Sequence, residues 1–451
     1  MPDRPTVFDI VVLGGGSGGY ATALRATGLG LTVALIEAGK LGGTCLHNGC
    51  IPTKALLHAA EVADSARESE KFGVRATLDG IDMDGVNSYK DGVVGRLYKG
   101  LQGLVKAHGI TFVEGYGRLV SADTVEVDGG ERYTGRHIVL ATGSYSRSLP
   151  GLEIGGRVIT SDQALTLDHV PSSVVILGGG VIGCEFASVW KSFGADVTII
   201  EALPNLVPNE DIALSKAFER AYRKRGIAFS TGVRFQGVTQ DDAGVHVTLE
   251  DGKTFDAELL LVAVGRGPRT EGLGYAEQGV RLDRGFVLTD ERLHTGVANI
   301  HAVGDIVPGL QLAHRGFAQG IFVAEEIAGL APQVIVESGI PRVTYSEPEV
   351  ASVGVTEAKA KELYGDDAVV SLEYNLGGNG KSQILATTGF VKLVRRKDGP
   401  VVGVHMIGAR VGELIAEGQL IVNWEAYPED VSSLVHAHPT QNEAIEGDAR
   451  S

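Results

Sequence analysis

Two cysteines five positions apart, Cys45 and Cys50, have the clearest capacity for chemistry in this chain. They lie in the run Gly42-Gly43-Thr44-Cys45-Leu46-His47-Asn48-Gly49-Cys50-Ile51-Pro52-Thr53-Lys54. In a regular α-helix, residues five apart have Cα atoms roughly 8–9 Å distant, whereas a disulfide spans roughly 4.4–6.8 Å. The pair can bridge only where the backbone leaves the helical path, and Asn48-Gly49 offers that place. Pro52 suits the first turn of a following helix, which reads on through 55–67. Cys50 then lies near that helix's positive end, and Lys54 is one turn further on. Both favour a thiolate. Three readings compete: dithiol/disulfide redox chemistry, a metal centre, and two inert buried thiols. Zinc asks for four ligands, and only His47 is at hand, so metal binding is disfavoured. Cys184, alone in an apolar helical segment, reads as a small core residue.

A histidine pair near the end of the chain, His436-Ala437-His438-Pro439, is the second candidate. Thiol–disulfide exchange needs a thiolate attacker, so a base is needed where a substrate dithiol docks. Histidine titrates near working pH. Taken alone, such a terminal pair is more often solvated or structural; beside the cysteine motif His438 becomes a candidate base, and His436 remains the structural member.

Glycines supply the scaffold. Asp9-Ile10-Val11-Val12-Leu13 is followed by Gly14, Gly16 and Gly19, then by Glu37 after Val33-Ala34-Leu35-Ile36. Ser173-Val174-Val175-Ile176-Leu177 is followed at the same spacing by Gly178, Gly180 and Gly183, then by Glu201 after Val197-Thr198-Ile199-Ile200. With 63 glycines in the chain one such match is weak, but two in matching context are not. The apolar runs read as buried parallel strands, and 20–29 and 184–193 as helices. This is βαβ twice over. Glycine lets a pyrophosphate reach backbone N–H groups at a helix N-terminus, and the glutamate takes adenosine ribose hydroxyls. Two dinucleotide sites imply two cofactors, or a cofactor and a substrate. No basic residue falls between Glu201 and Lys216, so the second site reads as one for NAD rather than NADP. Further strand ends fall at 138–144, 259–265 and 299–305. The last places Asp305 ready for a ribityl or ribose hydroxyl, with His301 as a packed strand residue.

The chain has 451 residues, 43% hydrophobic and 21% charged, an ordinary globular composition long enough for several domains. A formal charge of −16 repels nucleic acid and anionic membranes. No stretch matches a membrane span. The start lacks a basic segment followed by an apolar one, so a cytoplasmic location is expected. Three cysteines cannot make a disulfide framework.

Together these motifs resemble the flavin-dependent pyridine-nucleotide disulfide oxidoreductases over nearly the whole chain. The most specific is Gly43-Thr44-Cys45-x4-Cys50-Ile51-Pro52-Thr53-Lys54. Others are 295–305 with its Gly-Asp end, Leu312-Ala313-His314, and His436-Ala437-His438-Pro439-Thr440-Gln441-Asn442-Glu443. The resemblance implies an α/β fold with two Rossmann-like domains and a C-terminal α+β dimerisation domain. Boundaries are expected at 1–148 for FAD, 149–266 for NAD, 267–338 for a return segment and 339–451 for the interface. FAD would be held at Gly14, Gly16, Gly19, Glu37, Gly43, Thr44, Lys54, Thr142, Gly143, Asp305 and Ala313. NAD would be held at Gly178, Gly180, Gly183, Glu201 and Gly265. Cys45 is implied as the sulfur that exchanges with substrate and Cys50 as the one against the flavin, with Lys54 paired to Glu185. His438, held by Glu443, is implied as the acid/base serving the other subunit of a homodimer. After Glu443 only Ala444–Ser451 follow, read as polar and charged, where resembling chains carry an apolar segment.

The activity implied is NAD-linked oxidation of dihydrolipoyl arms, on the lipoyl domains of a 2-oxoacid dehydrogenase E2 or on the glycine-cleavage H protein. The alternatives are an NAD(P)H-driven reductase of a small disulfide of glutathione or mycothione type, and a non-catalytic flavoprotein scaffold. Glu201 argues against the first. Retention of all six of Cys45, Cys50, Lys54, Glu185, His438 and Glu443 argues against the second.

Overall fold

Short β-branched runs flanked by glycine turns form the central strands, as their pattern predicts. The computed structural model describes residues 7–449. Two units divide the chain: one gathers the residues up to Ala55, Asp84–Arg147 and Arg266–Glu337, and the other Leu56–Met83, Ser148–Gly265 and the residues from Ser338 on.

In the first unit, Val7–Leu13 lies between Val33–Glu37 and Glu131–Leu140, all parallel, with Ile10 opposite both Val33 and His137. Thr111–Glu114 adds an outer parallel strand, and Ile300–Ala302 a further one beside Glu131–Leu140. A hairpin, Gly117–Ser121 with Thr124–Val127, closes the other edge in antiparallel fashion. Ile10, Val11, Leu35, Ile36, Ile138 and Leu140 are fully buried. Each such side chain contributes about 1.5–3 kcal/mol of burial, which is why the runs show no polar alternation.

The helix Ser17–Gly28 begins three residues earlier than the sequence suggests, directly at the glycine loop. It packs closely on Ala313–Ile327: a Cβ on Gly320 would lie 2.3 Å from the Gly18 carbonyl oxygen. Arg25 pairs with Glu325 across the same contact at 2.6 Å. The long helix Met83–Ala107 has no counterpart in the sequence reading.

In the second unit five parallel strands run in the order Ala228–Thr231, Asp196–Glu201, Ser173–Leu177, Leu259–Val262, Val158–Thr160. The helix Val181–Phe193 follows the glycine loop, and Cys184 within it is fully buried, as expected. A three-stranded meander, Phe235–Gln240, Val245–Leu249 and Thr254–Ala257, lies alongside in sequence. The C-terminal part is an antiparallel sheet in the order Arg342–Thr344, Glu349–Gly354, Val401–Gly408, Phe390–Arg396, Val369–Asn375. Val411–Asn423 packs on it. The short helix Glu443–Ala449 carries Ala444 and Ile445, both fully buried in that core, so the segment after Glu443 is not polar throughout.

Candidate active site

The two glycine loops are built alike in detail. Gly14 and Gly178 take φ of +109° and +110°, and Cβ atoms there would lie 2.2 and 2.3 Å from the carbonyl oxygens of Ala141 and Ala263. At Gly19 and Gly183 a Cβ would lie 1.8 and 2.0 Å from the carbonyl oxygens of Gly14 and Gly178. The first and third glycines are thus required by the protein's own backbone. The middle ones are not. A Cβ at Gly180 would meet nothing within 4 Å, and one at Gly16 only the Gly43 Cα at 4.0 Å. Open space over backbone N–H groups at a helix start is the cradle a pyrophosphate fills, so the residues present fit a dinucleotide in each loop.

Glu37 and Glu201 stand where the spacing puts them, and each carboxylate also braces its own loop. Glu37 accepts from the N–H groups of Gly15 at 2.6 Å and Gly39 at 2.7 Å. Glu201 accepts from those of Gly179 and Leu203, both at 2.6 Å. A carboxylate has lone pairs left for ribose hydroxyls. The bracing itself could not be read from sequence.

The cysteine segment is tied to the first loop. Gly42 N–H donates to the Gly15 carbonyl at 2.8 Å, and a Cβ at Gly43 would lie 2.7 Å from the Gly16 Cα. A short helix, Gly43–His47, carries Thr44 and Cys45 and ends at Asn48. Cys50 then opens the helix Cys50–Glu68, so the backbone breaks at Asn48-Gly49 as the geometry of the pair requires. Both cysteines are thiols in this structure and both are half-buried. The Cys45 thiol is pushed well up, first by its hydrogen bond with Cys50 and then by burial, while Lys54 acts in the opposite sense. Tyr20, on the helix after Gly19, feels the same pair. Burial and then the charges of Cys45 and Cys50 push its phenol up to about 12. Its ring packs on Phe317 with centroids 5.5 Å apart. Sequence reasoning missed Tyr20, whose only signal was its place right after the third glycine. His47 Nε2–H donates to the Leu41 carbonyl at 2.9 Å, and the ring stands edge-on to Tyr98.

The remaining first-unit residues surround the loop from the strand ends. Asp305 sits in the turn Gly304–Ile306 and accepts from the Ser144 hydroxyl at 2.5 Å. Val303 lies against Gly18, and Gln319 accepts the Gly304 N–H at 2.7 Å, fixing that turn beside the helix start. Thr142 spends its hydroxyl on the Arg269 carbonyl at 2.6 Å and on Tyr275 at 3.0 Å. Gly143 borders open space, and Ala313 opens the helix Ala313–Ile327. His301 is a buried strand residue, as expected, and its Nδ1 has no hydrogen-bond partner among the described residues.

In the second unit, Glu185 is buried and accepts from the Tyr345 N–H at 3.0 Å. Gly265 borders open space at φ +103°. His438 is 77% exposed, and its Nδ1 lies 2.8 Å from Glu443 Oε1. Glu443 Oε2 accepts the Thr440 N–H at 2.8 Å. That N–H and then His438 hold the Glu443 carboxyl below the usual carboxylate range. The dyad engages Nδ1 of His438 and, among the described residues, not its Nε2.

Residues 8–320 match the pyridine nucleotide-disulphide oxidoreductase family, and 340–449 match its dimerisation domain. The chain belongs to this family. Pyridine nucleotide-disulphide oxidoreductases use FAD and NAD, the two dinucleotides that the paired loops accommodate. The chain is 40% identical to a dihydrolipoyl dehydrogenase of Bacillus subtilis, covering 98% of this chain and 97% of that protein. It is 38% identical to the mitochondrial dihydrolipoyl dehydrogenase of Pisum sativum, covering 97% and 90%. It is also 38% identical to leghemoglobin reductase of Vigna unguiculata, covering 97% and 86%. Among solved structures, LpdA of Mycobacterium tuberculosis is similar at a TM-score of 0.91 and 25% identity, covering 98% and 99%. The expected α/β architecture with two dinucleotide-binding folds and a C-terminal dimerisation domain holds, and that last domain supports a homodimer. No helix among the described residues is long and apolar enough to cross a membrane.

Proposed function

We propose that this flavoprotein disulfide oxidoreductase oxidises dihydrolipoyl groups to lipoyl groups and reduces NAD. The observation that carries the reading is the Cys45–Cys50 thiol pair docked against the first glycine loop through Gly42 and Gly43. In the oxidised enzyme Cys45 and Cys50 form the disulfide. A substrate thiol loses its proton to His438 Nε2, and Glu443 steadies the resulting imidazolium. The thiolate attacks Cys45 Sγ and Cys50 leaves as thiolate, favoured by its place at a helix N-terminus and by Lys54. The second substrate thiol then attacks its partner sulfur in the mixed disulfide, and Cys45 leaves. The substrate has lost two electrons and two protons and the protein dithiol has gained them. FAD held at the first loop would supply the two-electron link between this dithiol and NAD.

The residues proposed to hold FAD are Gly14, Gly16, Gly19, Glu37, Gly43, Thr44, Lys54, Thr142, Gly143, Asp305 and Ala313, the Thr142 contact being through backbone because its hydroxyl is engaged. Those proposed for NAD are Gly178, Gly180, Gly183, Glu201 and Gly265. The substrate is proposed to arrive as the lipoyl arm of an E2 lipoyl domain or of a glycine-cleavage H protein. His438 is proposed to serve the site of the other subunit. The four-part division of the chain at 148, 266 and 338 is proposed on the same family reading.

Anaerobic incubation with dihydrolipoamide and NAD tests this. NADH formation is expected. No turnover, together with rapid NADPH-driven reduction of glutathione disulfide or mycothione, would replace the reading by the small-disulfide reductase.

A further inference from the structure

His436, two residues before the proposed base, is nine-tenths buried with a carboxylate at each ring nitrogen. Its Nε2 lies 2.7 Å from Glu417 Oε1 and its Nδ1 3.2 Å from Glu446 Oε2. A neutral imidazole has one N–H and would turn a lone pair on the second carboxylate; an imidazolium donates to both. The two carboxylates come from different helices, Glu417 from Val411–Asn423 and Glu446 from Glu443–Ala449. The other Glu417 oxygen accepts from Asn442 Nδ2 at 2.7 Å, just before Glu443. One continuous path therefore runs from Glu417 through His436 to Glu446, one helical turn on from Glu443, and from Glu443 to His438.

We infer that His436, as an imidazolium, is a positioning residue: it pins the helix Glu443–Ala449 to Val411–Asn423 so that Glu443 meets His438 in one geometry. The inference rests on the assignment of His438 as the base. The charged groups facing His436 are Glu417 and Glu446, with Glu443 and His438 beyond them. Burial disfavours the charge, yet the two carboxylates outweigh it and hold the imidazole above its ordinary value. The clamp is therefore intact at low pH and opens as pH rises through that raised value. Deprotonation leaves Glu417 and Glu446 facing a neutral ring, and the loop bearing His438 loses one anchor.

The test uses the FAD-loaded enzyme and compares His436→Gln, Glu446→Gln and His438→Gln. Two rates are read: dihydrolipoamide oxidation across pH 6–9, and NADH oxidation by ferricyanide, which needs no thiol base. His436→Gln is expected to slow dithiol oxidation by about 10- to 100-fold and leave the ferricyanide rate unchanged. Glu446→Gln keeps the fold and one clamp, and is expected to move the alkaline fall in dithiol oxidation to lower pH. If His436→Gln loses flavin, the Glu446→Gln profile alone decides. An unmoved alkaline limb in Glu446→Gln, or an unchanged dithiol rate in His436→Gln, overturns the inference. A silent His438→Gln removes instead the assignment on which it rests.

Discussion

Glu201 Oε2 accepts the Gly179 N–H at 2.6 Å, so the carboxylate at the end of one strand closes the glycine loop at the end of its neighbour. Its other oxygen is held by the Leu203 N–H at 2.6 Å. If that carboxylate takes the ribose hydroxyls as proposed, its charge would repel a 2′-phosphate there. NAD is therefore expected to be preferred over NADP by about 100-fold in kcat/KM. Glu201→Ala should narrow that ratio by raising the KM for NAD. Steady-state kinetics with both nucleotides check it, and an enzyme faster with NADP contradicts it.

The three glycines of a loop should fail differently when substituted. Gly180→Ala adds a Cβ into open space, so the fold should keep its melting temperature while NAD affinity falls about tenfold or more. Gly183→Ala drives a Cβ to within 2.0 Å of the Gly178 carbonyl oxygen and should destabilise the second unit by about 2 kcal/mol or more. Thermal unfolding and NAD titration of both variants separate ligand space from packing.

His438→Gln should lower dihydrolipoamide oxidation by about 10²- to 10⁴-fold, the range for a lost general base. Glu443→Gln removes the charge at 2.8 Å but leaves a hydrogen-bond acceptor, and should cost less, about tenfold. Equal rates for wild type and His438→Gln in single-turnover reduction would take the histidine out of the mechanism.

His301 provides an acid-stability prediction. Burial, then the neighbouring His294 and His137, push its imidazole down to about 3. The folded value lies below the ordinary one, so the stability from its neutral ring is complete above pH ~6.5 and is lost as pH falls toward 3. At pH 4.5 the loss should reach about 2–3 kcal/mol. His301→Leu should flatten the dependence of unfolding free energy on pH between 6.5 and 4.5, and an unaltered slope contradicts the assignment.

The two glycine loops were legible because the first and third glycines of each are fixed by local backbone geometry. Gly14, Gly19, Gly178 and Gly183 bear this out by what a Cβ would strike. The break at Asn48-Gly49 was legible for the same reason: two cysteines five apart cannot meet on one helix. Met83–Ala107 was not, because Gly85, Gly92, Gly95, Gly100 and Gly103 dilute its helical signal and only Lys90, Leu101 and Val105 are buried on it. The bracing of loops by Glu37 and Glu201, the approach of Tyr20 to the thiols, and the clamp on His436 depend on partners that only the folded chain brings near. Glu417 is 19 residues from His436 in sequence, and no periodicity links them.

The most direct measurement is differential alkylation of Cys45 and Cys50, read by mass spectrometry on the FAD-loaded enzyme under anaerobic conditions. Both should be protected in the oxidised enzyme, both alkylated after dihydrolipoamide is added, and both protected again once NAD is supplied. Equal alkylation in all three states would show that these thiols take no part in turnover and would contradict the account.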